Sequence, residues 1–263
     1  MQLEMGASSH VGAVRALNED SCLAGAHLAV VADGMGGHAR GDVASRLTID
    51  AFRPLAGRTD LAPDDVRRAV AAANTALLDD AREHPERDGM GTTVTGIALV
   101  DHFGSPHWLV FNVGDSRVYR VSDEGVRLLT HDHSEVQELV DAGRLTDAQA
   151  RVHPLRNIVT RSLGTDPAPE MDLWLFPPTP GDTFLLCSDG LTNELDDEGI
   201  LDLWRNRTSA SAATAADALV EAAVSAGGRD NVTVVVVRMA GPAFDETALA
   251  TTGPRSRFLE ENR

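Results

Sequence analysis

Apolar and polar positions along the chain fall into blocks of strand pattern and blocks of helix pattern. Residues 2–12 read as a first strand. After the stretch Arg15–Asp20, the apolar run Leu28–Ala32 has the length and β-branched content of a buried strand, and it stops at Asp33. Glycines at 34, 36 and 37 follow, then a helical pattern over 42–56 carried by Val43, Leu47, Ala51 and Leu55. A second helix starts near Pro63, where Pro-Asp-Asp suits a helix N-terminus, and its apolar face runs from Val66 to Leu78. Strand patterns then come in immediate succession over 92–100, 108–113, 117–121 and 126–129, joined by short turns. Connections this short force antiparallel pairing, because a parallel pair needs a long crossover. An excursion over 131–170 holds two short helix patterns, 135–142 and 147–152. Strands return at 171–175 and 183–187, helices at 196–205 and 211–226, and a last strand at 232–237. Grouped strands and grouped helices predict an α+β fold in which antiparallel sheets are covered by helices.

With 263 residues the chain is long enough for one large domain or two small ones. A net charge of -17 argues against nucleic acid or an anionic membrane as partner. None of the 23 basic residues is lysine. Cys22 and Cys187 lie in apolar strand patterns, which predicts buried free thiols in a reducing cytoplasm. No apolar run approaches the roughly 18 residues of a membrane helix, and no segment has the build of a signal peptide. The expectation is a soluble, cytoplasmic protein, with nothing demanding more than a monomer.

Carboxylates add the chemistry. Asp33, Asp115 and Asp189 each follow an apolar strand pattern, Asp230 precedes one, and Glu19 and Asp20 form a further pair. Carboxylates gathered at one sheet edge repel one another unless a cation neutralises them. Oxygen-only ligation selects a hard ion, Mg²⁺ or Mn²⁺. Paired ions of that kind activate water and clamp a phosphoryl group.

Arg15-x-x-Asn-Glu-Asp20, Ala32-Asp-Gly-Met-Gly-Gly-His38, Gly91-Thr-Thr93, Asn112-Val-Gly-Asp-Ser-Arg117, Ser188-Asp-Gly-Leu191 and Gly228-Arg-Asp-Asn231 resemble the successive motifs of PP2C-type (PPM) metal-dependent protein Ser/Thr phosphatases. They occur in that family's order over about residues 5 to 238. Leu129-Thr-His-Asp-His-Ser134 and Asn157-x-x-Thr-Arg161-x-Leu-Gly164 resemble its bacterial branch. The resemblance implies a four-layer α-β-β-α sandwich, two antiparallel sheets flanked by helices, with a catalytic domain over 1–240. It also implies a flap over about 131–170 and leaves 241–263 as a C-terminal extension. It implies two core Mn²⁺ or Mg²⁺ ions: Asp33 bridging them, the Gly34 carbonyl a second ligand, Asp189 and Asp230 completing one ion. Glu19 would act through bound water with Asp20 close by, and Asp115 with Asp189 would hold the third ion of bacterial relatives. Arg15 matches the phosphate-binding arginine. A metal-bridging hydroxide would attack phosphorus in line. The animal enzymes' proposed general-acid histidine is Met35 here, so His38 or a metal-bound water would protonate the leaving group. The partners implied are phosphoproteins made by a Ser/Thr kinase, with flap arginines such as Arg144, Arg151, Arg156 and Arg161 helping to select them.

Rival sites are weaker. Gly-Asp-Ser at 114–116 lacks the C-terminal Asp-x-x-His of serine esterases. A cysteine phosphatase built on Cys187 needs arginine where Asn193 stands. Gly34–Gly41 is followed by a helix pattern where a dinucleotide fold requires a strand. His131 and His133 lack companion zinc ligands and read as surface residues. The alternative from another class is a non-catalytic metal-binding module that docks a partner through the flap.

Overall fold

The computed structural model describes residues 2–36, 40–87, 89–206 and 211–240. In chain order the strands are β1 (Leu3–His10), β2 (Asp20–Ala24), β3 (Leu28–Met35), β4 (Gly91–Thr92), β5 (Val94–His102), β6 (Ser105–Val113), β7 (Arg117–Ser122), β8 (Gly125–Leu128), β9 (Asp172–Phe176), β10 (Thr183–Cys187) and β11 (Val232–Met239). The helices are α1 (Gly41–Phe52), α2 (Pro63–Glu83), α3 (Glu135–Asp141), α4 (Asp147–Ala150), α5 (Asp189–Thr192), α6 (Asp197–Arg205) and α7 (Ala212–Ala226). One sheet has the order β1-β11-β10-β7-β8, the other β2-β3-β5-β6-β9 with β4 paired to β3, and every pairing is antiparallel.

Side-chain alternation sets the four layers. On β3, Ala29 and Val31 face the opposite sheet, meeting Phe184 and Leu186 of β10 and Val235 and Val237 of β11 in a shared interior. Leu28, Val30 and Ala32 point the other way, into a core closed by α1 and α2. Across the sandwich, Leu185, Cys187, Val234 and Val236 are covered by α6 and α7. Burial on both faces is why the runs at β3, β10 and β11 are continuously apolar. Both cysteines are free, and burial pushes the Cys22 thiol up to about 11. Among the described residues no helix is long and apolar enough to cross a membrane.

β3 continues past the carboxylate. Gly34 and Met35 pair with Thr92 and Gly91, so Asp33 lies inside a strand and not at its end. By parity with Ala29 and Val31 it faces the gap between the sheets. Gly34 is required there, because a Cβ at that position would sit 2.1 Å from the Gly41 carbonyl oxygen. The segment after β8 is tied down at its base by bridges Ser134↔Val159 and Thr92↔Leu163. His131 is exposed as expected, but His133 is 4% exposed and is a core residue of this base, a correction taken up below.

Candidate active site

Strand pairing brings the carboxylates together at one end of the sandwich. Asp20 and Asp33 are direct cross-strand partners on β2 and β3. The other sheet contributes Asp189, which follows β10 in the first turn of α5, and Asp230, which precedes β11. Asp115 sits in the turn between β6 and β7. Arg15, Glu19, Asp33, Gly34, Asp115, Asp189 and Asp230 all line one cleft of about 290 Å³. Asp20 does not line it but is buried beside Asp33.

Hydrogen bonds fix the backbone around these groups. The Asp33 N–H donates to Thr93 Oγ1 at 3.0 Å, and the Asp33 carbonyl accepts from Thr93 N and Thr92 Oγ1, both at 2.9 Å. Ser188 Oγ donates to Asp20 Oδ2 at 2.8 Å and accepts from the Thr233 N–H at 3.0 Å, joining the two sheets below the cleft. Asn231 orders the Arg15 loop by donating to the Val11 and Leu17 carbonyls and accepting from the Glu19 N–H. Arg15 is half exposed and reaches Asp230 at 2.7 Å.

The carboxylates are in a strained electrostatic state. Burial, then Asp20, Asp189, Asp115 and Asp230, holds the Asp33 carboxyl well above the ordinary carboxylate value. Burial followed by Asp189 does the same to Asp115. Burial raises Asp20 to about 7 and, with Asp230, Asp189 to about 6. Glu19 is raised chiefly by burial. Burial, the largest single influence on Arg15, lowers it, but the bond to Asp230 and the charges of Asp230, Glu19 and Asp189 together raise it overall.

These residues fit a divalent cation. The donors are all oxygen, they crowd negative charge, and the buried Asp20 Oδ1 has no hydrogen-bond partner. Among the described residues no three His, Cys, Asp or Glu side chains form a ready cage, so carbonyl oxygen and water must complete any coordination shell. Hard ions that retain several waters suit that arrangement.

The sequence profile described as Protein phosphatase 2C matches residues 9–224. The chain belongs to the protein phosphatase 2C family. It is 41% identical over 250 residues to the serine/threonine protein phosphatase PstP of Mycobacterium tuberculosis, covering 93% of this chain and 46% of that protein. The chain thus spans about half the length of that relative. It is 36% identical over 218 residues to the serine/threonine phosphatase stp of Listeria welshimeri, covering 80% of this chain and 83% of that one. A crystal structure of the PstP catalytic domain in complex with two manganese ions superposes with a TM-score of 0.79 at 39% identity, covering 91% and 99% of the two chains.

Within this protein phosphatase 2C fold, His38 and the segment 241–263 lie outside the described residues, and Met35 lines the cleft. Sequence reasoning gave no role to Thr93, Ser188 or Asn231, which hold the carboxylate-bearing backbone. Their signal was polarity inside or beside an apolar strand pattern. It also misplaced His133, the residue that anchors the Asp115 turn. The Gly114 N–H donates to His133 Nδ1 and the His133 N–H to the Gly114 carbonyl, both at 3.0 Å. Gly114 holds φ +112, and a Cβ there would meet Thr93 at 2.6 Å. Burial lowers the His133 pKa, which keeps Nδ1 free to accept. His133 Nε2 lies 3.2 Å from Asp172 Oδ2 and 3.3 Å from Arg161 Nη1, which places Arg161 at the root of the excursion.

Proposed function

We propose that the chain is the catalytic unit of a metal-dependent phosphatase that removes phosphate from Ser and Thr of phosphoproteins, opposing a Ser/Thr kinase in the cytoplasm. The observation that carries this reading is the single cleft that gathers Asp33, Asp115, Asp189, Asp230 and Glu19 around one arginine, with Asp33 and Asp115 too crowded to ionise freely. A relative of this fold is in complex with two manganese ions, and the family resemblance assigns two Mn²⁺ or Mg²⁺ ions here to Asp33, the Gly34 carbonyl, Asp189 and Asp230. Glu19 and Asp20 would act through water, and Asp115 with Asp189 would hold a third ion. Bound ions of this kind activate a water nucleophile and neutralise phosphoryl charge.

The chain's own side chains supply position and charge. Once Asp230 turns to a cation, Arg15 is free to grip two phosphate oxygens. Thr93, Ser188 and Asn231 keep the carboxylate-bearing segments aimed at the cleft before substrate arrives. His38 is the proposed proton donor to the leaving oxygen, with water as its rival. The proposed catalytic domain is 1–240, the flap is 131–170, and 241–263 is an extension; a monomer suffices.

Hydrolysis of a phosphothreonine peptide and of p-nitrophenyl phosphate should require Mn²⁺ and stop with EDTA or with Asp189→Asn. A folded, metal-binding protein without turnover would instead favour the docking module.

His133 gives a graded test. Asn at 133 retains an acceptor for the Gly114 N–H, whereas Ala does not. His133→Ala should raise the Mn²⁺ concentration for half-maximal hydrolysis by about 10-fold, the lower end of the effect of removing a residue that orients a ligand. His133→Asn should stay close to the parent. Equal behaviour of the two variants would remove the assigned anchoring role.

A further inference from the structure

Asp189 and Asp230 stand on segments that run side by side at the cleft. The Ser188 N–H donates to the Thr233 carbonyl at 3.1 Å, and the Thr233 N–H returns a bond to Ser188 Oγ at 3.0 Å. Gly190 comes so close that a Cβ there would lie 1.9 Å from the Asn231 carbonyl oxygen. On the solvent side the two segments are joined again by a pair of charged side chains, Glu194 just past α5 and Arg229 directly before Asp230.

Glu194 is a carboxylate whose side chain is only 4% exposed. Its Oε1 accepts from the Arg229 backbone N–H and from Arg229 Nε, and its Oε2 accepts from Arg229 Nη2, all at 2.9 Å. The same Nη2 donates to the Asn193 carbonyl at 2.8 Å. Asn193 Nδ2 in turn donates to Asp189 Oδ2 at 3.0 Å. One path of hydrogen bonds therefore runs from the Asp189 carboxylate through Asn193, Arg229 and Glu194 to the backbone beside Asp230. Gly227 leaves room for it, since a Cβ there would fall 2.7 Å from Glu194 Oε2. Arg229 is 62% exposed, so as a charge contact alone the pair adds little to stability. What it fixes is geometry: a planar guanidinium gripping a carboxylate at two points leaves little freedom to rotate.

Building on the phosphatase reading, in which Asp189 and Asp230 complete one ion, we infer that Glu194 and Arg229 form a positioning clamp. With Asn193 as the end that touches Asp189, the clamp sets the spacing of the two ligand carboxylates and so tunes the affinity for that ion. None of the three residues lines the carboxylate cleft, so they act through the ligands. Residues that orient ligands in this way are worth about 10- to 100-fold in metal affinity.

Calorimetric Mn²⁺ titration of the full chain tests the clamp independently of turnover. Arg229→Gln and Asn193→Ala should each weaken Mn²⁺ binding about 10-fold. Because both cut the same path, the double variant should lose about 10- to 20-fold, far short of the roughly 100-fold product of two independent losses. Arg229→Lys keeps the charge but not the fork, and should behave like Arg229→Gln. In all of them, p-nitrophenyl phosphate hydrolysis should fall more at limiting than at saturating Mn²⁺. Asp182→Ala, at the far end of β10 from Asp189, should melt earlier with the parent's Mn²⁺ affinity, which separates ligand placement from general destabilisation. Parent affinity in both single variants or in Arg229→Lys, a full multiplicative loss in the double variant, or an equal loss in Asp182→Ala would overturn the proposal. Clamp-dependent Mn²⁺ binding without turnover keeps the clamp and removes the phosphatase. Turnover with a Mn²⁺ affinity indifferent to these residues does the reverse.

Discussion

Asp33→Asn should lower kcat/KM for a phosphothreonine peptide by roughly 100- to 1,000-fold, at least the loss seen when one preorganised electrostatic group is removed from a reacting centre. The same substitution should raise the melting temperature of the EDTA-treated protein. Both effects come from one position. Asp33 faces the inter-sheet gap with Asp20 as its cross-strand partner, and Asp115, Asp189 and Asp230 all push its carboxyl up. Without cations that crowding opposes folding. Asparagine removes the charge and keeps a donor for Asp189. The pH dependence has a definite sign. Asp20 at about 7 and Asp189 at about 6 hold protons in the folded, metal-free chain that the unfolded chain, at 3.8, has already released. Stability of the EDTA-treated protein therefore falls as pH rises from about 4 to 7, more steeply in the parent than in Asp33→Asn. Thermal melts in EDTA across that range, beside kinetics in Mn²⁺, read both signs. A lower metal-free melting temperature in the variant would mean that Asp33 holds structure and is not a site of crowded charge.

The largest purely structural loss should come from Asp182→Ala. Its buried carboxylate accepts from Trp108 Nε1 at 2.8 Å and from the Thr179 N–H at 2.8 Å, and it pairs with the Arg120 guanidinium. The Arg120 side chain is about one-third exposed, so the loss comes chiefly from the Trp108 and Thr179 N–H groups left without an acceptor, at a cost of about 3 kcal/mol together. For a chain of this size that is roughly 10 °C in melting temperature. Adding Arg120→Met should recover only part of the loss, because the indole N–H stays unpartnered. Melting of the two variants beside the parent checks this. A loss below about 1 kcal/mol for Asp182→Ala would show that water replaces the carboxylate and that the hub is not dry.

Much of this fold could be read from periodicity, because β10, β11, α2 and α7 are long or buried on both faces and their apolar patterns are unambiguous. β2 was harder: it is a five-residue edge strand whose half-buried positions alternate weakly. The continuation of β3 through Gly34 and Met35 could not be read locally. Glycine disfavours a strand, and the pairing partner β4 lies more than fifty residues away. His133 shows the same limit, since a His-Asp-His run looks solvated until the Gly114 N–H is found pointing at Nδ1. The acidic positions themselves were conspicuous as carboxylates at strand borders. Their convergence was not, because it depends on which strands face each other across the gap. The ring of Thr93, Ser188 and Asn231 had no local signature beyond polarity in an apolar setting.

The candidate cleft draws carboxylates from both sheets, Asp20 and Asp33 on one, Asp189 and Asp230 at the borders of the other. A cation gripped from both sides would act as a rivet through the sandwich. When the site is empty, like charges pry the layers apart at that end, while Ile97, Trp108, Phe184 and Val237 hold them together farther in. Loading the site would therefore reverse the order in which the molecule opens: the empty protein unzips from the cleft inward, and the riveted one frays last where it was weakest.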